Sequence, residues 1–202
     1  MALAGTVPER QVRALFSART VTVYQAYRPE IANRALAAGT FVPPFRLGRM
    51  TWIKPSFLWM MYRSGWAAKP GQERVLAISQ QQWAEKKLAS PVRIQWDPER
   101  SLLLQPLPWR SIQIGLSGEA AARYVREWIT SITDATPLAE RINRHVSSGD
   151  LAAARAEMPA ERVYPLPPSI RTRIGASPAL PVAQAPLARA CIRSGLRAPL
   201  YR

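Results

Sequence analysis

Cysteine is almost absent. The 202-residue chain has one, Cys191, so no intramolecular disulfide can form. One cysteine and one histidine, His145, also argue against a structural zinc site. Cys191 lies in a stretch rich in Pro and Arg, where nothing suggests the ordered electropositive pocket a reactive thiol needs. Long apolar runs are missing too. No stretch approaches the roughly 18 consecutive apolar residues of a spanning helix. Met1 to Arg13 lack the apolar core of a secretory signal. The sequence therefore reads as a cytoplasmic protein of a reducing compartment, with no membrane partner. Familiar catalytic signatures are absent as well: there is no P-loop, no GxGxxG, no HExxH and no GxSxG. A Ser–His or Cys–His nucleophile pair would have to use His145, and no partner loop stands near it in sequence.

Acidic residues are scarce, 13 against 28 basic ones, for a net charge of +15. No acid follows Glu161, whereas Arg162, Arg171, Arg173, Arg189, Arg193, Arg197 and Arg202 supply +7 of the +15. The preceding body is still basic, which favours polyanionic partners: nucleotides, RNA or DNA. With 48% of its residues hydrophobic, the chain can bury a core. The expectation is a single mixed α+β domain over residues 1–160, with a mainly antiparallel sheet and packing helices. A basic tail, residues 161–202, is expected to be disordered, because Pro165, Pro167, Pro168, Pro178, Pro181 and Pro186 interrupt regular structure. From Pro165 onward it should be dispensable for folding.

Thr20–Tyr27 is β-branched and aromatic and predicts a strand. Pro29 opens a predicted helix over Glu30–Ala38 that Gly39 can stop. Pro55–Ser64 predicts a buried helix, with Gly65 just past its end. Arg74–Ile78 and Val92–Trp96 predict strands, and Asp97–Pro98 a turn before Leu102–Leu104. Arg110–Leu116 alternates, with Ile112, Ile114 and Leu116 inward and Gln113 outward. Ala121, Tyr124, Val125, Trp128, Ile129 and Ile132 share one face at helical period, which predicts a single helix capped by Ser117. Thr136–Pro137 opens a second, with Leu138, Ile142 and Val146 apolar.

Phe41–Gly71 is the densest segment. Trp52, Trp59 and Trp66 recur every seven residues, interleaved with Arg49, Lys54, Arg63 and Lys69. Aromatic faces beside cations suit nucleotides and single-stranded nucleic acids, which offer flat rings and phosphates together. A plain core helix with cations at its edge, paired to Glu30, Glu73 or Asp97, competes with that reading.

Four stretches carry a resemblance: VYQAYRPEIA (Val23–Ala32), RMTWIKPSFLWMMYRSGWAAKPGQERVLAI (Arg49–Ile78), PVRIQWDPER (Pro91–Arg100) and RSIQIGLSG (Arg110–Gly118). Over roughly Gln11–Leu138 the chain resembles a bacterial and fungal family known only as a numbered domain of unknown function. The resemblance implies no reaction. It does imply a longer insert where only Ser79–Ser90 stands here, so that this chain reads as a shortened or altered member.

The polar candidates are Tyr24, Gln25, Tyr27, Arg49, Trp52, Lys54, Ser56, Arg63, Arg110 and Gln113 for a ligand, with Glu119 as the carboxylate catalyst. Two expectations follow. One is a small enzyme that binds a nucleotide, NAD or an RNA end; by analogy with a VYQAY strand and a later glutamate, it looks like an ADP-ribosyltransferase. The other is a non-catalytic basic nucleic-acid-binding module. A concave pocket with converging cations and aromatics discriminates for the first.

Overall fold

The computed structural model describes residues 8–81 and 92–178. In chain order the elements are β1 (Arg13–Ala14), β2 (Thr20–Tyr27), α1 (Pro29–Ala38), β3 (Thr51–Ile53), α2 (Phe57–Ser64), β4 (Arg74–Gln81), β5 (Val92–Arg100) and β6 (Pro106–Leu116). Then follow α3 (Gly118–Arg123), a π-helical turn (Tyr124–Trp128), β7 (Ile129–Asp134), α4 (Thr136–Ser147), α5 (Leu151–Ala156), β8 (Arg162–Val163) and α6 (Pro168–Ile174). The fold is α+β, and every strand pair is antiparallel.

Two three-stranded sheets, in the orders β2-β4-β7 and β3-β6-β5, form the frame. They meet where the Tyr24 amide donates to the Lys54 carbonyl at 2.7 Å. One core lies between them, built from Val23, Ile53, Leu76, Ile78, Ile112, Ile114 and Leu116, and closed by Tyr124 and by Ala32 and Ala35 of α1. A second core lies on the far side of β2 and β4, where Tyr24 and Val75 meet Phe57, Met60 and Met61 of α2 and Ala139 and Ile142 of α4. Burial on both faces explains why every residue from Val21 to Gln25 is buried.

Local signals at the helix ends behave as expected. Pro29 starts α1, and Gly39 ends it in the left-handed region. Ser56 caps α2, its Oγ accepting from the Trp59 amide at 3.2 Å.

Three expectations are corrected. The helix after Ser117 ends at Arg123, and its continuation is a π turn followed by strand β7. Ile129–Thr133 is largely β-branched, and pairing Ile132 with Ile78 on β4 outweighs a helical period that a strand can satisfy as well. Trp128 is consequently only half-buried.

Asp97–Pro98 is not a turn, because β5 runs through both residues to Arg100. Pro98 is tolerated there because β5 is an edge strand.

The chain beyond Glu161 is not all tail. β8 pairs with β1, Tyr164 meets the Phe16 ring edge-on at 5.2 Å, and α6 follows. Trp96 Nε1 donates to the Ile174 carbonyl at 2.8 Å. Residues 179–202, with Cys191, lie outside the described residues, as does most of the Ser79–Ser90 connection.

Among the described residues, no helix is long and apolar enough to cross a membrane.

Candidate functional site

One face of the β3-β6-β5 sheet is apolar and feeds the core; the other is polar. The register puts Trp52 opposite Gly115, Gln113 opposite Gln95, and Ser111 opposite Asp97. Side chains alternate along each strand, so Trp52, Lys54, Gln113, Gln95 and Asp97 share the polar face. Gly115 is what lets Trp52 lie there. A Cβ at Gly115 would stand 2.8 Å from Met50 Sδ and 3.0 Å from the Trp52 ring.

This face is the floor of a cleft of about 1020 Å³. Gln25, Tyr27 and Arg28 at the end of β2 form one wall. The loop before β3 contributes Phe45, Arg46, Arg49 and Met50; α2 contributes Trp59, Met60 and Arg63; and Pro70–Gln72 closes the rim.

Lys54 is the most deeply placed charge, its side chain 1% exposed. Nζ donates to Asp97 Oδ2 at 3.0 Å and lies 3.7 Å from the centre of the Trp59 ring. Burial pulls the ammonium down to about 8, against the opposing pull of Asp97 and Glu99. Gln95 Nε2 donates to the other carboxylate oxygen, Asp97 Oδ1, at 2.9 Å and fixes its rotamer.

The remaining cations are arginines. Arg28 pairs at 3.6 Å with Glu30, both exposed. Arg63 pairs with the Gln72 side-chain amide in the orientation that satisfies both groups. Arg46 and Arg49 are exposed, with no side-chain hydrogen bond or ion pair to any described residue. Five cations thus line the cleft with Asp97 as its one lining carboxylate among the described residues.

The cleft brings together seven of the candidates named from sequence: Gln25, Tyr27, Arg49, Trp52, Lys54, Arg63 and Gln113. The other four stand elsewhere. Tyr24 is buried in the second core, edge-on to Phe57 at 5.4 Å, and lines a smaller groove of about 350 Å³. Ser56 is occupied as the α2 cap and donates to Glu99 Oε1 at 2.8 Å. Arg110 pairs with Glu9 at 3.5 Å and donates to the Trp96 carbonyl, away from the cleft. Glu119 is exposed in the first turn of α3 and does not line the cleft.

Sequence reasoning missed Arg28, Phe45, Arg46, Thr51 and Gln95 as site residues, and it placed Asp97 in a turn. The alternation of Arg93, Gln95 and Asp97 against Ile94 and Trp96 is a usable signal. It becomes one only once the β5–β6 register is known.

A second polar cluster lies under the start of α2. Glu161 Oε1 accepts from the Phe57 amide at 2.7 Å, beside the Ser56–Glu99 hydrogen bond. Burial raises the Glu161 carboxyl to about 8, and the charge of Glu99 adds to that, while the Phe57 amide and Arg13 oppose it. No group of three or more His, Cys, Asp or Glu side chains able to hold a metal occurs among the described residues.

The sequence profile of a domain of unknown function, DUF4291, matches residues 11–82 and 78–164, and the chain belongs to that family. No curated protein and no solved structure matches it.

Proposed function

We propose that this family member uses the cleft to bind a phosphate-bearing small molecule, a nucleotide or a dinucleotide such as NAD. The observation that carries the reading is the convergence of Arg28, Arg46, Arg49, Lys54 and Arg63 on one concavity with a single lining carboxylate among the described residues. Like charges gathered at one site repel one another, and an anion relieves that cost. Guanidiniums suit phosphate because their fork donates two parallel hydrogen bonds. Phe45 and Trp52 in the same cleft offer faces for a base. The cleft is also of the size small-molecule sites have.

A concave site favours a small ligand, or a single RNA end, over a long nucleic acid laid on a flat face. Lys54 and Asp97, the ion pair at the cleft floor, could take part in proton transfer there. Glu119 stands outside, so among the described residues the ADP-ribosyltransferase analogy has no carboxylate in the cleft except Asp97.

The test is calorimetric titration of ATP, NAD and a short single-stranded RNA against wild type and Arg46→Ala/Arg49→Ala, each at two salt concentrations. Binding of ATP or NAD that weakens with salt and falls about tenfold or more in the double variant supports the cleft, since tenfold corresponds to roughly 1.4 kcal/mol, less than one charge-assisted hydrogen bond contributes. Binding of RNA alone, unchanged in the double variant, would move the anion site to the arginines that follow Glu161.

A further inference from the structure

The wall of the cleft formed by the end of β2 carries a hydrogen-bond network whose protons can be counted. Gln25 Nε2 stands 2.8 Å from Thr51 Oγ1, 2.9 Å from the Tyr27 hydroxyl and 3.0 Å from the Trp52 carbonyl. A carbonyl can only accept, so the amide nitrogen, and not its oxygen, must face this group. On the opposite side the Tyr124 hydroxyl donates to Gln25 Oε1 at 3.0 Å. Tyr124 is fully buried, and burial keeps its phenol protonated far above the ordinary range. Gln25 is therefore locked in one orientation.

Its two amide protons are shared among three acceptors: Trp52 O, Tyr27 Oη and Thr51 Oγ1. The two hydroxyls lie 3.3 Å apart, and that contact consumes one hydroxyl proton. The other hydroxyl proton has no acceptor among the described residues. Both residues line the cleft, but Thr51 is 5% exposed and Tyr27 more so. One consistent assignment has Thr51 donating to Tyr27, which leaves the Tyr27 O–H as the donor facing the cleft that Tyr27 lines. A donor so placed, with its own oxygen already accepting from Gln25, is oriented before any ligand arrives.

We propose that the Tyr27 hydroxyl reads a hydrogen-bond acceptor on the ring of the bound ligand, a nucleobase carbonyl or ring nitrogen. The inference rests on the nucleotide reading of the cleft and deepens it by orienting the ligand. The base lies at the Tyr27–Phe45–Trp52 end, and the phosphates lie along the cations of the same cleft toward Lys54. Phe45 stacks on Phe41 at 4.4 Å and meets Tyr27 edge-on at 6.0 Å, so the aromatic end is held rigid by its own packing. Thr51 and Lys54 are three residues apart on an extended strand, about 10 Å. A base, a sugar and a phosphate span that length. Burial pushes the Tyr27 phenol up to about 12, so it remains a donor through the neutral range.

The experiment compares ATP, GTP, UTP and base-free tripolyphosphate on wild type, Tyr27→Phe and Thr51→Val, each variant first checked for an unchanged melting temperature. Tyr27→Phe keeps the ring that packs on Phe41 and Phe45 and removes only the donor. The expected result is a loss of between about threefold and tenfold for the preferred nucleotide in Tyr27→Phe, in the range one neutral hydrogen bond contributes, with no loss for tripolyphosphate. Thr51→Val keeps the Tyr27 donor but removes the hydroxyl that holds it, so it should reduce the base preference less than Tyr27→Phe does. An equal loss for tripolyphosphate, an unchanged nucleotide affinity in Tyr27→Phe, or a loss confined to Thr51→Val would overturn the assignment. Tight tripolyphosphate binding that no base improves would overturn it as well, while leaving the phosphate cleft standing. If neither tripolyphosphate nor any nucleotide binds wild type, the cleft reading itself falls.

Discussion

Lys54 Nζ and Asp97 Oδ2 lie 3.0 Å apart at the bottom of the cleft, the lysine 1% and the aspartate 17% exposed. The asymmetry decides which partner can be lost. Asp97→Asn leaves a buried ammonium beside a neutral amide and should destabilise the fold by about 3 kcal/mol, in the range seen when one partner of a buried pair is removed. Lys54→Met leaves a carboxylate that still reaches water and keeps its hydrogen bond from Gln95, so it should cost less. Urea denaturation of both variants checks the order. A Lys54→Met protein less stable than Asp97→Asn would show that the cation–π contact with Trp59, and not the ion pair, holds this corner.

Glu161 should give stability a downward slope with pH. Its carboxyl is raised by burial from the ordinary 4.5 to about 8 in the folded state. Between those values the folded chain holds a proton that the unfolded chain has released, so stability falls as pH rises. The contribution is fully present below about pH 4.5 and is gone above about pH 8. The groups that face it are the Phe57 amide, Glu99, Arg13 and Tyr24. Glu161→Gln keeps an acceptor for the Phe57 amide and cannot ionise. Its melting temperature should exceed that of wild type at about pH 8, and the difference should vanish near pH 4. A difference that stays constant across that range would place the titration elsewhere.

Much of this site was legible in the sequence because its signals are local. The Trp and cation density of Arg49–Arg63 is a property of neighbouring residues, and most of that segment does line the cleft. The alternation of Ile112, Gln113 and Ile114 placed Gln113 outward, and outward here means into the cleft. What failed depended on partners distant in sequence. Asp97 meets Lys54 only because β3 and β5 both pair with β6 in register, and Pro98 hid β5. Glu119 resembled a catalyst by its position after a strand, yet it is exposed and does not line the cleft. Ser56 looked like a ligand group, and the carboxylate that occupies it, Glu99, is 43 residues away. Trp128 to Ile132 fits both periods, and only the contact with β4 chooses between them.

The segment 165–178 should matter for stability, contrary to the reading of it as tail. Ile174 packs on the main core, its carbonyl accepts from Trp96, and the Ser177 amide donates to the Arg10 carbonyl at 2.8 Å. Truncation after Tyr164 leaves the Trp96 indole N–H without its acceptor and uncovers apolar surface. Its melting temperature should fall by several degrees, as a loss of about 1–2 kcal/mol does in a domain of this size. A chain ending at Pro178 keeps these contacts and should melt above the chain cut after Tyr164. Equal melting of all three would return residues 165–178 to the status of a dispensable tail.

Gly115 offers a test of the cleft floor that touches no charge. It lies opposite Trp52 in the β3–β6 register, and the absence of a Cβ lets the Trp52 ring and Met50 sulfur lie directly on the strand. A Cβ there would come within 3.0 Å of the ring and closer still to the sulfur, so one of them must move. Met50 is flexible and can give way in Gly115→Ala. The two further methyls of Gly115→Val crowd both side chains, so Trp52 should turn outward over the cleft. Overpacking of this kind costs roughly 1–3 kcal/mol. The expected outcome is graded: Gly115→Ala lowers the melting temperature a little and leaves nucleotide affinity near that of wild type, whereas Gly115→Val lowers both. Affinity for tripolyphosphate should change less than affinity for a nucleotide, because Arg46, Arg49 and Arg63 are not on β6. If Gly115→Val loses tripolyphosphate and nucleotide alike, Trp52 supports the arrangement of the cations and is not a face for the base.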